Sequence, residues 1–340
     1  MATVAGIIAD FATLSLNDRD YLKAILLSKA PASDLEEYVT SERFSDGKVC
    51  PVCGCMHISR FGHTKDGKQR YICKDCGKTF TITTNSIASG TRKPLSTWER
   101  FVDCMINGLS VRKTASVCGI HRNTAFIWRH KILDTLQEMA NGVNLNGIIE
   151  ADETFFSVSY KGNHKNSSFV MPRAARKRGK LVKVRGLSKE QVCVPCAVNR
   201  TGLSIAKISN LGRVSTKNLH SVYDNRIEDN STLVTDKMNS YVRFANTNGI
   251  NLIQVKTGKS KKGIYHIQHI NNYHSKLKQF MDKFNGVSTK YLNNYLIWHN
   301  FVNYAKETDF EKRNILLRFA LTRQSSIKCR DISKRAAIPI

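Results

Sequence analysis

A chain of 340 residues, 41% of them hydrophobic, can bury a sizeable core and is long enough for more than one domain, which excludes wholesale disorder. Its 53 Lys and Arg against 27 Asp and Glu leave a net charge of +26, the balance of a protein that meets polyanions, nucleic acid above all. No run approaches the ~18 apolar residues of a membrane span, and the N-terminus lacks the basic region of a signal peptide, so the ten cysteines are expected in a reducing compartment, the cytoplasm.

Residues 1–45 read as a helical segment, with apolar positions at Tyr21, Ala24, Ile25 and Leu26 and capping-box spacing from Ser33 to Glu36. Residues 1–48 hold eight carboxylates against five Lys or Arg, so the basic excess lies beyond them.

Residues 46–90 carry Cys50-Pro-Val-Cys53 and Cys73-Lys-Asp-Cys76. Each CxxC pair sets two thiolates on a tight knuckle, and two knuckles close a tetrahedron around zinc. Between them, Lys65-Asp66-Gly67-Lys68 supplies a turn and Arg70-Tyr71-Ile72 a strand, which makes a hairpin. The pattern is a zinc ribbon whose Zn2+ is structural, because four thiolates leave no open position. Cys55, His57 and His63 are the alternative ligands nearby. Cys193-Val-Pro-Cys196 has no second pair and reads as a core strand.

Residues 91–141 are helical. Pro94 opens one helix, Ser110 caps a short second one, and a turn at Cys118-Gly119-Ile120 leads into a third. That order predicts a helix-turn-helix whose last helix offers Arg122, Asn123, Thr124, Arg129 and His130 to a DNA major groove. A plain helical hairpin is the alternative.

Residues 142–305 begin with short β-rich runs and end in helix, which predicts a mixed sheet with helices packed on it. Within Ile148–Thr154, Glu150 and Asp152 share one strand face and Glu153 takes the other. A carboxylate inside a strand is costly unless it is paired or binds a metal. Thr232–Asp236 is a second apolar strand and ends in an acid. Two such acids suit a pair of Mg2+ or Mn2+ ions about 3.5–4 Å apart, the arrangement that serves phosphodiester chemistry. The alternative is that Asp236 merely caps a strand end. Two basic tracts, with Arg173, Arg176, Lys177, Arg178 and Lys180 in one and Lys259, Lys261 and Lys262 in the other, are suited to neutralising DNA phosphates. Residues 306–340 are expected to be a C-terminal helical tail.

The order of zinc ribbon, helix-turn-helix, strand with ADET, strand ending VTD, then HINNYHSKLKQFMDKFNGVSTKYLNNYLIW resembles a family of bacterial insertion-sequence transposases with a DDE-type catalytic domain. The resemblance runs over most of residues 46–300. It implies an α+β protein in which the ribbon and helix-turn-helix precede an RNase H-like α/β domain with a mixed central sheet. It further implies a DNA transposase that cuts element ends and joins them to target DNA with two catalytic ions. Asp152 matches the family's first catalytic acid and Asp236 its second. No Asp or Glu lies between Asp236 and Asp282, and the place where glutamate is commonest, after His269-Ile270-Asn271, holds His274. Asn271 and Asn272 are rival ligands. Lys278, one helical turn beyond His274, is placed to hold the substrate phosphate. The partners implied are double-stranded DNA, both terminal inverted repeats and target, and further copies of the chain on that DNA. The place of action implied is the nucleoid. The alternatives are a non-enzymatic DNA-binding regulator with an inactive nuclease-like domain, and an RNase H-like nuclease that cuts without joining.

Overall fold

The computed structural model describes residues 6, 13, 35–45, 47–163, 170–172, 187–256, 262–304, 307–323, 325 and 327–339. The chain divides into two units, Met1–Leu136 with Glu307–Ser333, and Gln137–Lys306 with Lys334–Ile340. The expected helix start at Ser33 and the apolar positions before it lie outside the described residues.

In the first unit, helix α1 (Leu35–Arg43) precedes a three-stranded antiparallel sheet of β1 (Ile58–His63), β2 (Gln69–Cys73) and β3 (Thr79–Thr81), in that order. Gly67 takes φ +77° at the β1–β2 turn, a conformation that side chains with a Cβ resist. Tyr71 of β2 is sandwiched between Phe44 and Phe80, with ring centroids 5.2 and 5.6 Å away. This is the hairpin expected between the two CxxC pairs.

The three expected helices follow as α2 (Leu95–Ile106), α3 (Val111–Cys118) and α4 (Arg122–Asn141). Pro94 stands at the N-cap of α2, and the Ser110 hydroxyl caps α3 by accepting from the Lys113 N–H. Gly119, at φ +59°, ends α3 in the left-handed conformation that turns the chain into α4. Trp98 of α2 stacks on Trp128 of α4 at 3.6 Å between centroids.

One expectation for α4 is corrected. Arg129 does not face solvent: it is fully buried, and its guanidinium donates to the Leu109 carbonyl at 2.6 Å and to Thr114 Oγ1 at 3.2 Å. His130 is buried as well. Ala125, Trp128, Arg129, Ile132, Leu133 and Leu136 form one inward stripe at helical spacing, and Arg129 lies within it. Its charge is used to hold the α2–α3 connection.

The second unit is built on a mixed sheet of β4 (Ile148–Ser157), β5 (Gln191–Asn199), β6 (Ser204–Ala206), β7 (Asn210–Leu211), β8 (Thr232–Thr235) and β9 (Asn251–Gln254). Helices α5 (Thr216–Tyr223) and α6 (Asn239–Asn248) fall in the crossovers on either side of β8. The strand order is β6-β5-β4-β8-β9, with β7 on the outer edge of β5. Strand β5 runs antiparallel to both its neighbours, β6 and β4, while β8 and β9 run parallel to β4. This is the mixed sheet of the RNase H-like fold. Cys193 and Cys196 are buried in β5, as a core strand requires. Pro195, which has no N–H to donate, falls where the edge of β5 passes from β7 to β6.

One face of the sheet, with Ile149, Ala151, Cys193, Ala197 and Leu233, packs on Leu219, Val222, Tyr223, Tyr241 and Phe244 of α5 and α6. Helix α7 (Gln268–Asp282) lies against β4 and β5, and α8 (Leu292–Tyr304), entered through a 3-10 turn at Thr289–Tyr291, lies along β6. Burial of Ile270, Tyr273, Leu277 and Phe280 fixes the inward face of α7.

The chain then returns to the first unit through α9 (Asp309–Leu321) and α10 (Cys329–Ser333). Thr308 and Glu311 form a capping box for α9, whose Arg313 pairs with Asp103 at 2.8 Å and with Glu99, both on α2.

Replacing Arg129 by Ala leaves the buried Leu109 carbonyl without its charged donor, and such bonds contribute about 1.5–3 kcal/mol. Denaturant unfolding of Arg129→Ala is therefore expected to show about that loss, and unchanged stability would show that Arg129 does not hold the turn.

Candidate active site and metal centres

Asp152 and Asp236 are brought together by strand register. β4 and β8 pair in parallel with Ile148 opposite Thr232, Ile149 opposite Leu233 and Glu150 opposite Val234. Continuing that register by two residues sets Asp236, just past the end of β8, alongside Asp152, and the two-residue period of a strand puts Asp152 on the face that carries Glu150. Helix α7 covers this face. His274 Nδ1 lies 3.9 Å from Asp152 Oδ2, and His274 itself is nearly buried. Lys278, one turn further along α7, exerts its charge on both Asp152 and His274.

The electrostatics follow from burial. Burial, aided by the neighbouring Asp236, pushes the Asp152 carboxyl up to about 6 against the opposing pull of the Glu153 backbone N–H and the Lys278 charge. Burial raises Asp236 too. On the other face of β4, burial lifts Glu153 to about 7. His274 is pushed down to about 4 by burial and by Lys278, so its ring is neutral near pH 7. Asp236 Oδ1 and His274 Nε2 are both buried without a hydrogen-bond partner. Two crowded carboxylates and a neutral imidazole with an unused nitrogen are the donor set a divalent cation satisfies, and the orphaned atoms fit such an ion.

Among the described residues, two groups bring three or more ligand atoms within 4.8 Å of one another, and the more open set of Asp152, Asp236 and His274 is not one of them. The first is Cys50, Cys53, Cys73 and Cys76. Their sulfurs stand 3.8 Å apart for Cys50–Cys76 and 3.6 Å for Cys53–Cys73, close to the edge of about 3.8 Å that four bonds of ~2.3 Å impose on a tetrahedron. His57 is turned to Asp75 instead, at 3.0 Å. The second group, Glu150 with His266 and His269, was not anticipated from sequence. Its one legible signal is the position of Glu150 inside an apolar strand, two residues before Asp152.

Of the residues expected to meet DNA, Arg122 and Asn123 are exposed and Thr124 is half-buried at the start of α4. Lys262 is exposed. Arg173, Arg176, Lys177, Arg178, Lys180, Lys259 and Lys261 lie outside the described residues. The rival ligands Asn271 and Asn272 are both exposed on α7, whereas His274 is turned inward. No helix among the described residues is long and apolar enough to cross a membrane.

Comparison with known proteins adds two family matches. Residues 34–79 match a transposase zinc-ribbon domain, and residues 144–301 match an ISXO2-like transposase domain. A protein described as an uncharacterized protein in transposable element ISH50, from Halobacterium salinarum, is 22% identical over 257 residues, which is 75% of this chain and 84% of the relative. Two solved structures bear a slight likeness at TM-score 0.21 and 9% identity. They are a pre-cleavage Mos1 transpososome, covering 68% of this chain and 82% of that one, and the Mos1 mariner paired end complex with Mn, covering 63% and 75%.

Cys73→Ser is expected to lower zinc from about one ion per chain, the complement of four thiolates, and to loosen β1–β3. Full zinc by elemental analysis would show that the quartet does not hold the ion. A second expectation concerns pH. A carboxyl raised in the folded state favours folding fully below its unfolded value and loses that contribution as pH rises through its folded value, here about 6. Without divalent metal, Asp152→Asn should therefore gain in melting temperature over the parent protein between pH 4 and pH 8. An equal difference at both pH values would contradict the burial argument.

Proposed function

The chain belongs to the insertion-sequence transposases with an N-terminal zinc ribbon and a DDE-type domain, and from that premise we propose that it cuts DNA at the ends of its element and joins the freed ends to target DNA. The observation that carries this reading is the parallel β4–β8 register, which sets Asp236 beside Asp152 under a helix that offers His274 and Lys278.

Asp152, Asp236 and His274 would hold the catalytic ions. Divalent metal bound there would supply activation of the attacking oxygen and stabilisation of the leaving one. An imidazole in the set favours Mn2+ over Mg2+. Both reactions are in-line displacements at phosphorus: water attacks the element end first, and the liberated 3′-hydroxyl then attacks the target. Lys278 supplies the positive charge that holds the scissile phosphate beside Asp152. Burial of His274 keeps its ring in the neutral, ligating form. Arg122, Asn123 and Thr124 at the N-terminus of α4 would read element ends in a major groove, with the zinc ribbon beside them in sequence. The Lys- and Arg-rich segments at 173–180 and 259–262 would neutralise phosphates without regard to sequence. Acting at two ends at once calls for more than one copy of the chain on the DNA, in the cytoplasm where the nucleoid lies.

The test is His274→Ala on a DNA substrate carrying the element's ends. Cleavage and joining are expected to fall by at least a hundredfold, with binding of the ends retained, and His274→Glu should recover activity with Mg2+. Near-normal cleavage by His274→Ala would remove the residue from the site. Cut ends without any joined product from the parent protein would instead make it a nuclease.

A further inference from the structure

The second carboxylate–histidine group, with Glu150 two residues before Asp152 and His269 five residues before His274, has no part in the reading above. Glu150 is 1% exposed, and its carboxylate is met by two backbone N–H groups and a guanidinium, with two imidazoles alongside. Oε2 accepts from the backbone N–H of His269 at 2.7 Å and of Ile270 at 3.1 Å. Oε1 lies 3.1 Å from Nη2 of Arg200, 2.9 Å from Nδ1 of His269 and 3.3 Å from Nδ1 of His266.

His269 and Ile270 belong to the first turn of α7, where N–H groups have no partner inside the helix. This helix has Ile267 at its N-cap, no side-chain cap and no acid in its own first turn. Glu150 therefore performs from a neighbouring strand the task that a capping side chain performs locally, and its negative charge meets the positive end of the helix dipole.

The group has the composition of a metal site, one carboxylate and two imidazoles, but the cation is already present. Nη1 of Arg200 stands 3.1 Å from Nε2 of His266 and 2.9 Å from Nδ1 of His269, while Nη2 pairs with Glu150 and donates to the Ile264 carbonyl at 3.1 Å. A guanidinium seated among the three candidate ligands fills the place an ion would take.

The clasp joins β4 and α7, the elements that carry Asp152 and His274. Glu150 and Asp152 are two residues apart on one face of β4, about 7 Å along the strand. His269 and His274 are five residues apart on α7, about 7.5 Å along the helix. We propose that Glu150, backed by Arg200 and His269, is a positioning residue: it pins the start of α7 to β4 and so sets His274 against Asp152. Its consequence for metal binding rests on the assignment of His274 given above, whereas the pinning itself does not.

The experiment uses the full chain with its ribbon zinc, free of other divalent metal. Amide hydrogen exchange is followed over residues 268–275, and Mn2+ binding is measured by electron paramagnetic resonance, without DNA. Glu150→Gln keeps an acceptor but loses the ion pair, and Arg200→Lys keeps the charge but loses the fork, so the test does not depend on Glu150→Ala folding. Exchange in the first turn of α7 is expected to rise at least tenfold in Glu150→Gln with the β4–β8 core unchanged. The Mn2+ dissociation constant is expected to rise ~10–100-fold, as when groups that orient a ligand are lost. Unchanged exchange at α7 in both variants overturns the proposal, as does faster exchange with the parent's Mn2+ affinity. A second zinc per chain that is lost in His269→Ala overturns it too, since the group would then be a metal site. His274→Ala is measured alongside: if it binds Mn2+ as the parent does, the metal-site reading fails, while the exchange result still decides whether Glu150 pins the helix.

Discussion

Two carboxylates set side by side in a largely dry place repel each other, and the second unit is organised around that constraint. The parallel pairing of β4 with β8 leaves Asp152 and Asp236 little choice of position, because their backbones are fixed by ladder hydrogen bonds rather than by loops. Burial raises both acids, and Asp236 adds to the rise of Asp152. Lys278 offsets part of this from α7. What it leaves is an appetite for positive charge, together with orphaned atoms at Asp236 Oδ1 and His274 Nε2 that no protein group satisfies. A sheet that needed only stability would not keep this arrangement.

The proposed third ligand, His274, has a different physical character from the two acids. Where a third carboxylate would add repulsion, an imidazole driven neutral by burial adds none. The cost is selectivity, since nitrogen is a poorer partner for Mg2+ than oxygen is. Helix α7 must therefore present one nitrogen at the right depth, and its inward face of Ile270, Tyr273, Leu277 and Phe280 sets the rotation of the helix while leaving its axial position to its ends.

Much of this was legible in the chain. Paired CxxC motifs with a turn between them specify a ribbon because few other arrangements use four thiolates at that spacing, and the hairpin formed where Gly67 allowed it. Ser110 and Gly119 marked the ends of α3 by the chemistry of helix capping. Asp152 and Asp236 stood out as acids in apolar strands. Arg129 was misplaced because a charged residue was assumed to face outward. The apolar stripe through Ala125, Ile132 and Leu133 already included its position, and the periodicity outweighed the charge. The partners of Glu150 were not legible. Arg200, His266 and His269 lie 50 to 119 residues away, and only the strand order β6-β5-β4-β8-β9 brings them to one place. Sequence spacing reports local geometry, and this group has none.

The two carboxylate–histidine groups on one face of the sheet show how the same residue types serve opposite ends. Around Glu150 the acceptors are met: two backbone N–H groups and a guanidinium donate to a side chain that is 1% exposed, with two imidazoles against it. Such a network is closed, and its free energy goes into fixing a helix on a strand. Around Asp152, one strand residue-pair further on, the acids are neighbours, the imidazole Nε2 has no partner, and the cation acting on Asp152 is Lys278 from α7. That network is open, and it lacks what the first one contains, a cation at its centre. The closed group holds the open one in shape, because β4 and α7 each contribute to both. If the open group takes up ions as proposed, it has to stay unsatisfied without collapsing, and the saturated neighbour on β4 and α7 is what keeps α7 from shifting to relieve it.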